Sequence, residues 1–137
     1  MTRIILQDAS PERGWRISVA TIESDGPFSD FTGFDRTFVP IDHPVALQID
    51  GCRNVVEPLS SIFFAGESSV TCTLAQRPSH DLNVMTRRDM YTHRVEILGN
   101  GISITVLTCA GGMLHDEAVC TVGGFTRNPL TVKMRFG

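Results

Sequence analysis

At 137 residues the chain has room for one domain with a real hydrophobic core and no need of disulfide support. Its 42% hydrophobic and 20% charged content is ordinary for a soluble globular protein. The net charge of −3 comes with no basic stripe, which argues against nucleic-acid binding, and no apolar run approaches the roughly 20 residues that cross a bilayer.

The first eight residues, Met1 to Asp8, lack the apolar core of a signal peptide, so a cytoplasmic location is expected. Cys52, Cys72, Cys109 and Cys120 are widely spaced with no CxxC pair, and His43, His80, His93 and His115 lack ligand spacing. Free thiols are expected, with no zinc site and no cofactor.

Hydrophobic periodicity is that of strands almost throughout. Trp15 to Ile22 alternates, with Trp15, Ile17 and Val19 on one face. Residues 23 to 36 combine turn formers with Phe28, Phe31 and Phe34, which predicts a packed loop anchored by aromatic burial rather than a linker. Short strands follow at Thr37 to Pro40 and Val45 to Ile49. Asp50-Gly51 is a hairpin signal, with a return strand between Asn54 and Leu59. Ser61 to Phe64 leads into a turn at Gly66 to Ser69 and an alternating strand at Val70 to Ala75.

After a break at Arg77-Pro78-Ser79 comes the most informative stretch, His80 to Arg88. With a side-chain period of two, Leu82 and Val84 share one face, while Asp81, Asn83, Met85 and Arg87 share the other. That second face spaces an acceptor, an amide and a guanidinium at regular intervals. A water-facing strand surface would also account for it. Tyr91 to Ile97 and Ile102 to Leu107 then alternate around a Gly99-Asn100-Gly101 turn. A break at Ala110-Gly111-Gly112, an acidic loop at His115-Asp116-Glu117, and strands at Ala118 to Val122 and Leu130 to Met134 complete the chain. No segment sustains a 3.6-residue apolar period. The expected fold is all-β, a single jelly-roll barrel domain over residues 1–137 with little or no helix.

Two stretches resemble the signatures of a known family. Trp15-Arg16-Ile17-Ser18-Val19-Ala20 with Gly26-Pro27-Phe28-Ser29, Gly33 and Asp35-Arg36 is similar to the first, and Asp81 to Arg88 to the second. Phe63, Phe64 and Gly66 resemble the segment between them, and the order and spacing fit. The family is HutD/Ves, small bacterial proteins of the RmlC-like cupin type. The resemblance covers roughly residues 3–108. Thr2-Arg3-Ile4-Ile5 corresponds to the family's first strand, and the segment that precedes that strand in the family has no counterpart here. The resemblance implies a cupin jelly roll and a role in histidine utilisation, or in stress response on the Ves side, as a regulator or small-molecule binder rather than a pathway enzyme.

The residues narrow the chemistry. No HxH pair exists for a cupin metal, no GxSxG elbow for a nucleophile, and Gly111-Gly112 and Gly123-Gly124 lack the flanks of a phosphate cradle. Carboxylate recognition remains. Arg36 with either Arg87 or Arg88 can bind a carboxylate in bidentate fashion, and Asn83 can meet an amide or imidazole-like group. Urocanate and formiminoglutamate-like anions suit that donor set. The candidate ligand residues are therefore Arg36, Asp81, Asn83, Met85, Arg87 and Arg88.

Against this stands a purely structural role, with Asp35 and Arg36 bracing the loop and Asp81 paired to Arg87 or Arg88. Two other functions stay open. One is a metal-free cupin enzyme of isomerase or epimerase type, with Asp81, His80 or His93 as its base. The other is an interaction module whose polar strand face pairs two subunits into a homodimer.

Overall fold

The computed structural model describes residues 2–7, 13–98, 101–109, 119–123 and 131–135. The described residues contain strands and turns and no helix, and all strand pairs are antiparallel. The strands are β1 (Thr2–Gln7), β2 (Trp15–Ile22), β3 (Gly26–Pro27), β4 (Phe34–Pro40), β5 (Val45–Ile49), β6 (Cys52–Val56) and β7 (Ile62–Ala65). They continue with β8 (Val70–Leu74), β9 (Ser79–Arg87), β10 (Tyr91–Leu98), β11 (Gly101–Thr108), β12 (Val119–Gly123) and β13 (Thr131–Arg135). They form three sheets, in the orders β1-β2-β9-β4-β7, β3-β8-β5-β6 and β10-β11-β12-β13.

Local chemistry explains the main turns. Asp50 and Gly51 carry φ of 48° and 86°, the doubly positive geometry of a two-residue hairpin whose twist matches its strands. Asp50 tolerates this because its Oδ1 accepts the Ser69 amide N–H at 2.9 Å. The return strand β6 starts at Cys52 and stops at Val56, earlier than the expected end at Leu59, whose φ of 60° ends extended structure. β4 begins at Phe34, so the last residues of the expected 23–36 loop are strand, paired with β7 and β9. The breaks and acidic loop expected at residues 110–117 lie outside the described residues.

The five-stranded sheet is covered on both faces. One face carries Trp15, Ile17, Val39, Leu82 and Val84 and packs on Ile102, Ile104 and Val106 of β11. The other places Phe38 and Phe64 against Val45, Leu47, Val56, Val70, Cys72 and Leu74 of the β3-β8-β5-β6 sheet, which makes the barrel. Each fully buried aliphatic or aromatic side chain is worth about 1.5–3 kcal/mol, so both interfaces are strongly held. β9 runs through the middle with six consecutive buried residues, Asp81 to Thr86. Its polar face therefore meets the barrel interior, not water. Among the described residues no helix is long and apolar enough to cross a membrane.

Candidate functional site

Strand register assembles the site. Arg16 of β2 and Arg36 of β4 both sit opposite Met85 of β9. The next row on the same face is Ser18, Asn83 and Phe38, and the one below it Ala20, Asp81 and Pro40. Successive rows lie about 6.6–6.8 Å apart along the strands. The upper two rows line a cavity of about 540 Å³, roofed by Phe28 and Phe31 and bounded across the barrel by Cys72.

The roof is fixed by backbone bonds. Phe28 N–H donates to Val70 O and Phe31 N–H to Gly66 O, both at 2.9 Å, and Gly66 N–H donates to Phe34 O at 2.6 Å. Gly66 is required there, because a Cβ would fall 2.2 Å from the Phe31 carbonyl oxygen. Outside the barrel, Arg88 clamps the same region. Its guanidinium bonds Asp35 at 2.9 Å, Phe34 O at 3.2 Å and both oxygens of Glu67 at 2.8 and 3.0 Å. That bidentate pairing pulls Glu67 down to about 2.

Arg36 is 7% exposed. Its guanidinium carbon lies 5.1–5.3 Å from the ring centres of Phe28, Phe31 and Phe64, so aromatic surface encloses the cation. Its hydrogen bonds are long, 3.3 Å to Asn83 Oδ1 and 3.5 Å to Ser29 O, and its Nε has no partner. Arg16 packs on Phe31 at 5.5 Å, and its buried Nε is also unpartnered. Among the described residues no carboxylate pairs with either arginine. Burial, and then the charge of Arg16, lowers Arg36 to about 10, so it remains cationic at neutral pH. Two confined guanidiniums with idle N–H groups and no counter-ion can receive an anion bidentately.

The six residues nominated from the sequence divide. Arg36, Asn83 and Met85 come together at the cavity. Asp81 shares their face one row deeper, fully buried, and is bonded to Ser79 rather than to an arginine. Arg87 turns outward to Asp89 at 3.1 Å and Arg88 holds Asp35 and Glu67, so neither lines the cavity. The alternative pairing of Asp81 with one of them does not form, because Arg87 bonds Asp89 and Arg88 bonds Asp35 and Glu67. His80 bonds Asp42 at the surface. His93 sits behind the sheet between Thr37 Oγ1 at 2.7 Å and Thr86 Oγ1 at 2.8 Å. Arg16 and Phe64 were missed as site residues. Alternation with Ile17 was the available signal for Arg16, since it puts Arg16 in phase with Ser18.

A closed antiparallel jelly roll around a side-chain-lined cavity is the architecture of the cupins. A conserved-barrel cupin protein from Leptotrichia buccalis matches 77% of the chain with a TM-score of 0.56 at 7% identity, a likeness of fold alone. The chain belongs to the HutD family, whose model matches residues 1–115. Protein Ves of Citrobacter koseri is 32% identical over 103 residues, 73% of this chain and 53% of that protein. An uncharacterised 21.2 kDa protein from the hutC 3' region of Pseudomonas putida is 34% identical over 91 residues, 61% of this chain and 45% of that protein. The structure of HutD from Pseudomonas fluorescens SBW25, in a formate condition, superposes with a TM-score of 0.66 at 33% identity, covering 69% of this chain and 54% of that one. The chain thus spans about half the length of these relatives. Both the cupin jelly roll and the HutD/Ves resemblance expected from the sequence are borne out.

Proposed function

We propose that the barrel is a cytoplasmic, non-enzymatic receptor for a small carboxylate metabolite, through which the protein adjusts histidine utilisation. One observation carries this reading: Arg16 and Arg36 both line a 540 Å³ cavity, each with a buried Nε that has no partner and with no carboxylate paired to it. Arg36 grips the carboxylate, Arg16 supplies the second cation, and Asn83 meets a nitrogen-bearing group. Phe28 and Phe31 exclude water, which strengthens both charge contacts. Urocanate and formiminoglutamate-like anions match this combination.

An enzyme would need a base at the cavity; Asp81, His80 and His93 do not line it, and of the two carboxylates that do, Glu23 and Asp25, the latter is paired with Arg77. The interaction-module reading is favoured by the outward turn of Arg87, but it also requires an apolar, sealed barrel, and two guanidiniums occupy this one.

Thermal unfolding against urocanate, formiminoglutamate, formylglutamate, histidine and neutral controls tests the proposal. A ligand at 100 times its Kd adds about 2.7 kcal/mol, a readily measured rise in melting temperature. The rise should vanish in Arg36→Ala and weaken in Asn83→Ala. Stabilisation that persists in Arg36→Ala places the ligand elsewhere, and no stabilisation by any anion refutes the reading.

A further inference from the structure

Beside the cavity, in the row of its lining residue Ala20, lies a buried acid that the ligand contacts do not use. Asp81 is fully buried on the barrel face of β9, one row below Asn83. Its two oxygens lie 3.1 and 3.2 Å from a single atom, Ser79 Oγ. A hydroxyl has one proton to give. If Asp81 is ionised, one carboxylate oxygen is left without a donor in a dry interior. If it is neutral, no charge is stranded there, and the Ser79 hydroxyl, long at 3.1 and 3.2 Å, remains its side-chain partner. Full burial without a cationic partner favours the neutral acid.

No cation offsets a charge at this position. On β2 and β4 the barrel-facing charged groups are Arg16 and Arg36, both two rows away and engaged with the Phe28, Phe31 and Phe64 rings. The β4–β5 connection brings Asp42, whose charge opposes ionisation, and His43. On β9 itself His80 favours ionisation, but it is half-exposed and already bonded to Asp42. Across the barrel β8 presents the Cys72 thiol, and the segment before β3 presents Glu23 and Asp25, the latter paired with Arg77 at 2.9 Å. Burial dominates, and against the Ser79 hydrogen bond it lifts Asp81 to about 7.

We propose that Asp81 links the anion site to the proton: a carboxylate entering beside Arg16 and Arg36 draws a proton from solvent onto Asp81, and ligand affinity falls as pH rises through neutrality. This rests on the anion-binding reading above. Two negative charges inside one small barrel repel, and the neutral acid removes the repulsion. Ala20, opposite Asp81, and Asn83, the next residue on its strand face, both line the cavity, and the Cys72 thiol across it feels the Asp81 charge. Two rows put the charges about 10–13 Å apart, and at the effective dielectric of a protein interior the coupling changes affinity roughly tenfold. Linkage makes the effect reciprocal, so ligand raises the Asp81 midpoint by the same factor.

The test uses the whole chain and formylglutamate, whose own carboxyls stay ionised across the range. Carbon-13 NMR follows the Asp81 carboxyl from pH 5 to 9, and calorimetry in two buffers of different ionisation enthalpy counts protons bound with ligand. The expected results are a midpoint near 7 without ligand, a rise of about one unit with it, and uptake of about half a proton near pH 7.5. Asp81→Asn should abolish that uptake. Arg36→Ala should abolish binding while the ligand-free midpoint stays. A ligand-free midpoint below about 5, or one that ligand does not move, overturns the inference even if formylglutamate binds. Absence of binding at every pH instead refutes the anion site, and with it this linkage.

Discussion

Replacing Arg36 by Met should stabilise the ligand-free protein while destroying its ligand response. Met keeps the unbranched stem and packs well against aromatic rings, so the change removes chiefly the charge. Burial lowers Arg36 well below the ordinary guanidinium value, to about 10, and at 1.36 kcal/mol per unit the confined cation costs about 3 kcal/mol. A cation with a depressed folded value carries that cost throughout the range below 10 and sheds it only above, so neutral pH feels all of it. Three cation–π contacts offset part of the cost. Sulfur–aromatic contacts in the variant replace most of them, leaving a deficit of about 0.5 kcal/mol per ring. The net expectation is a gain of about 1–2 kcal/mol. Urea unfolding at pH 7, analysed as two-state with m unchanged, measures it. A loss of more than 1 kcal/mol in Arg36→Met would show that the guanidinium is a structural brace, and the functional argument would lose its main support.

Two further outcomes follow from the same geometry. His93 is held down to about 4, chiefly by burial, so the folded protein keeps it neutral where the unfolded chain protonates it near 6.5. Its contribution is complete above 6.5 and should shrink by about 3 kcal/mol as pH falls through 4, a loss that is absent in His93→Gln; equal acid sensitivity in the two proteins would assign the effect elsewhere. Gly66→Ala forces a Cβ against the backbone carbonyls of Phe31 and Phe34, which cannot rotate away. It should cost about 3 kcal/mol and release the aromatic roof, read as a lower melting temperature together with weakened anion binding; full retention of both would mean that the roof is not held there.

Period-two alternation and turn chemistry were enough to expose most strands, because each needs only neighbours a few residues away. The Asp50-Gly51 hairpin is local in the same sense. The polar phase of residues 81–85 was equally plain, yet whether it met water or a cavity depended on which sheets covered it. Arg16 shows the limit. Its phase with Ser18 and Ala20 looks like a solvent face until β2 is laid against β9, a partner more than sixty residues away. Arg87 and Arg88 fail for a different reason. Their spacing extends the strand pattern, but Asp89, Asp35 and Glu67 lie nearby and capture them outside the barrel. The adjacent Phe63 and Phe64 illustrate the same dependence, one 61% exposed and the other buried on Arg36, with only the register of β7 on β4 to tell them apart.

β9 is a party wall: the same backbone serves the barrel on one side and the Ile102–Val106 packing on the other. No partial opening can free it, since lifting away either neighbouring layer leaves the other still seated on its opposite face. Amide hydrogens from Asp81 to Thr86 should therefore exchange only through global unfolding and mark the slowest-exchanging segment of the molecule. The cavity-lining Asn83 and Met85 thus ride on the stiffest strand available, while Phe28 and Phe31 cover them from a segment outside the sheets that backbone bonds to Val70 and Gly66 hold.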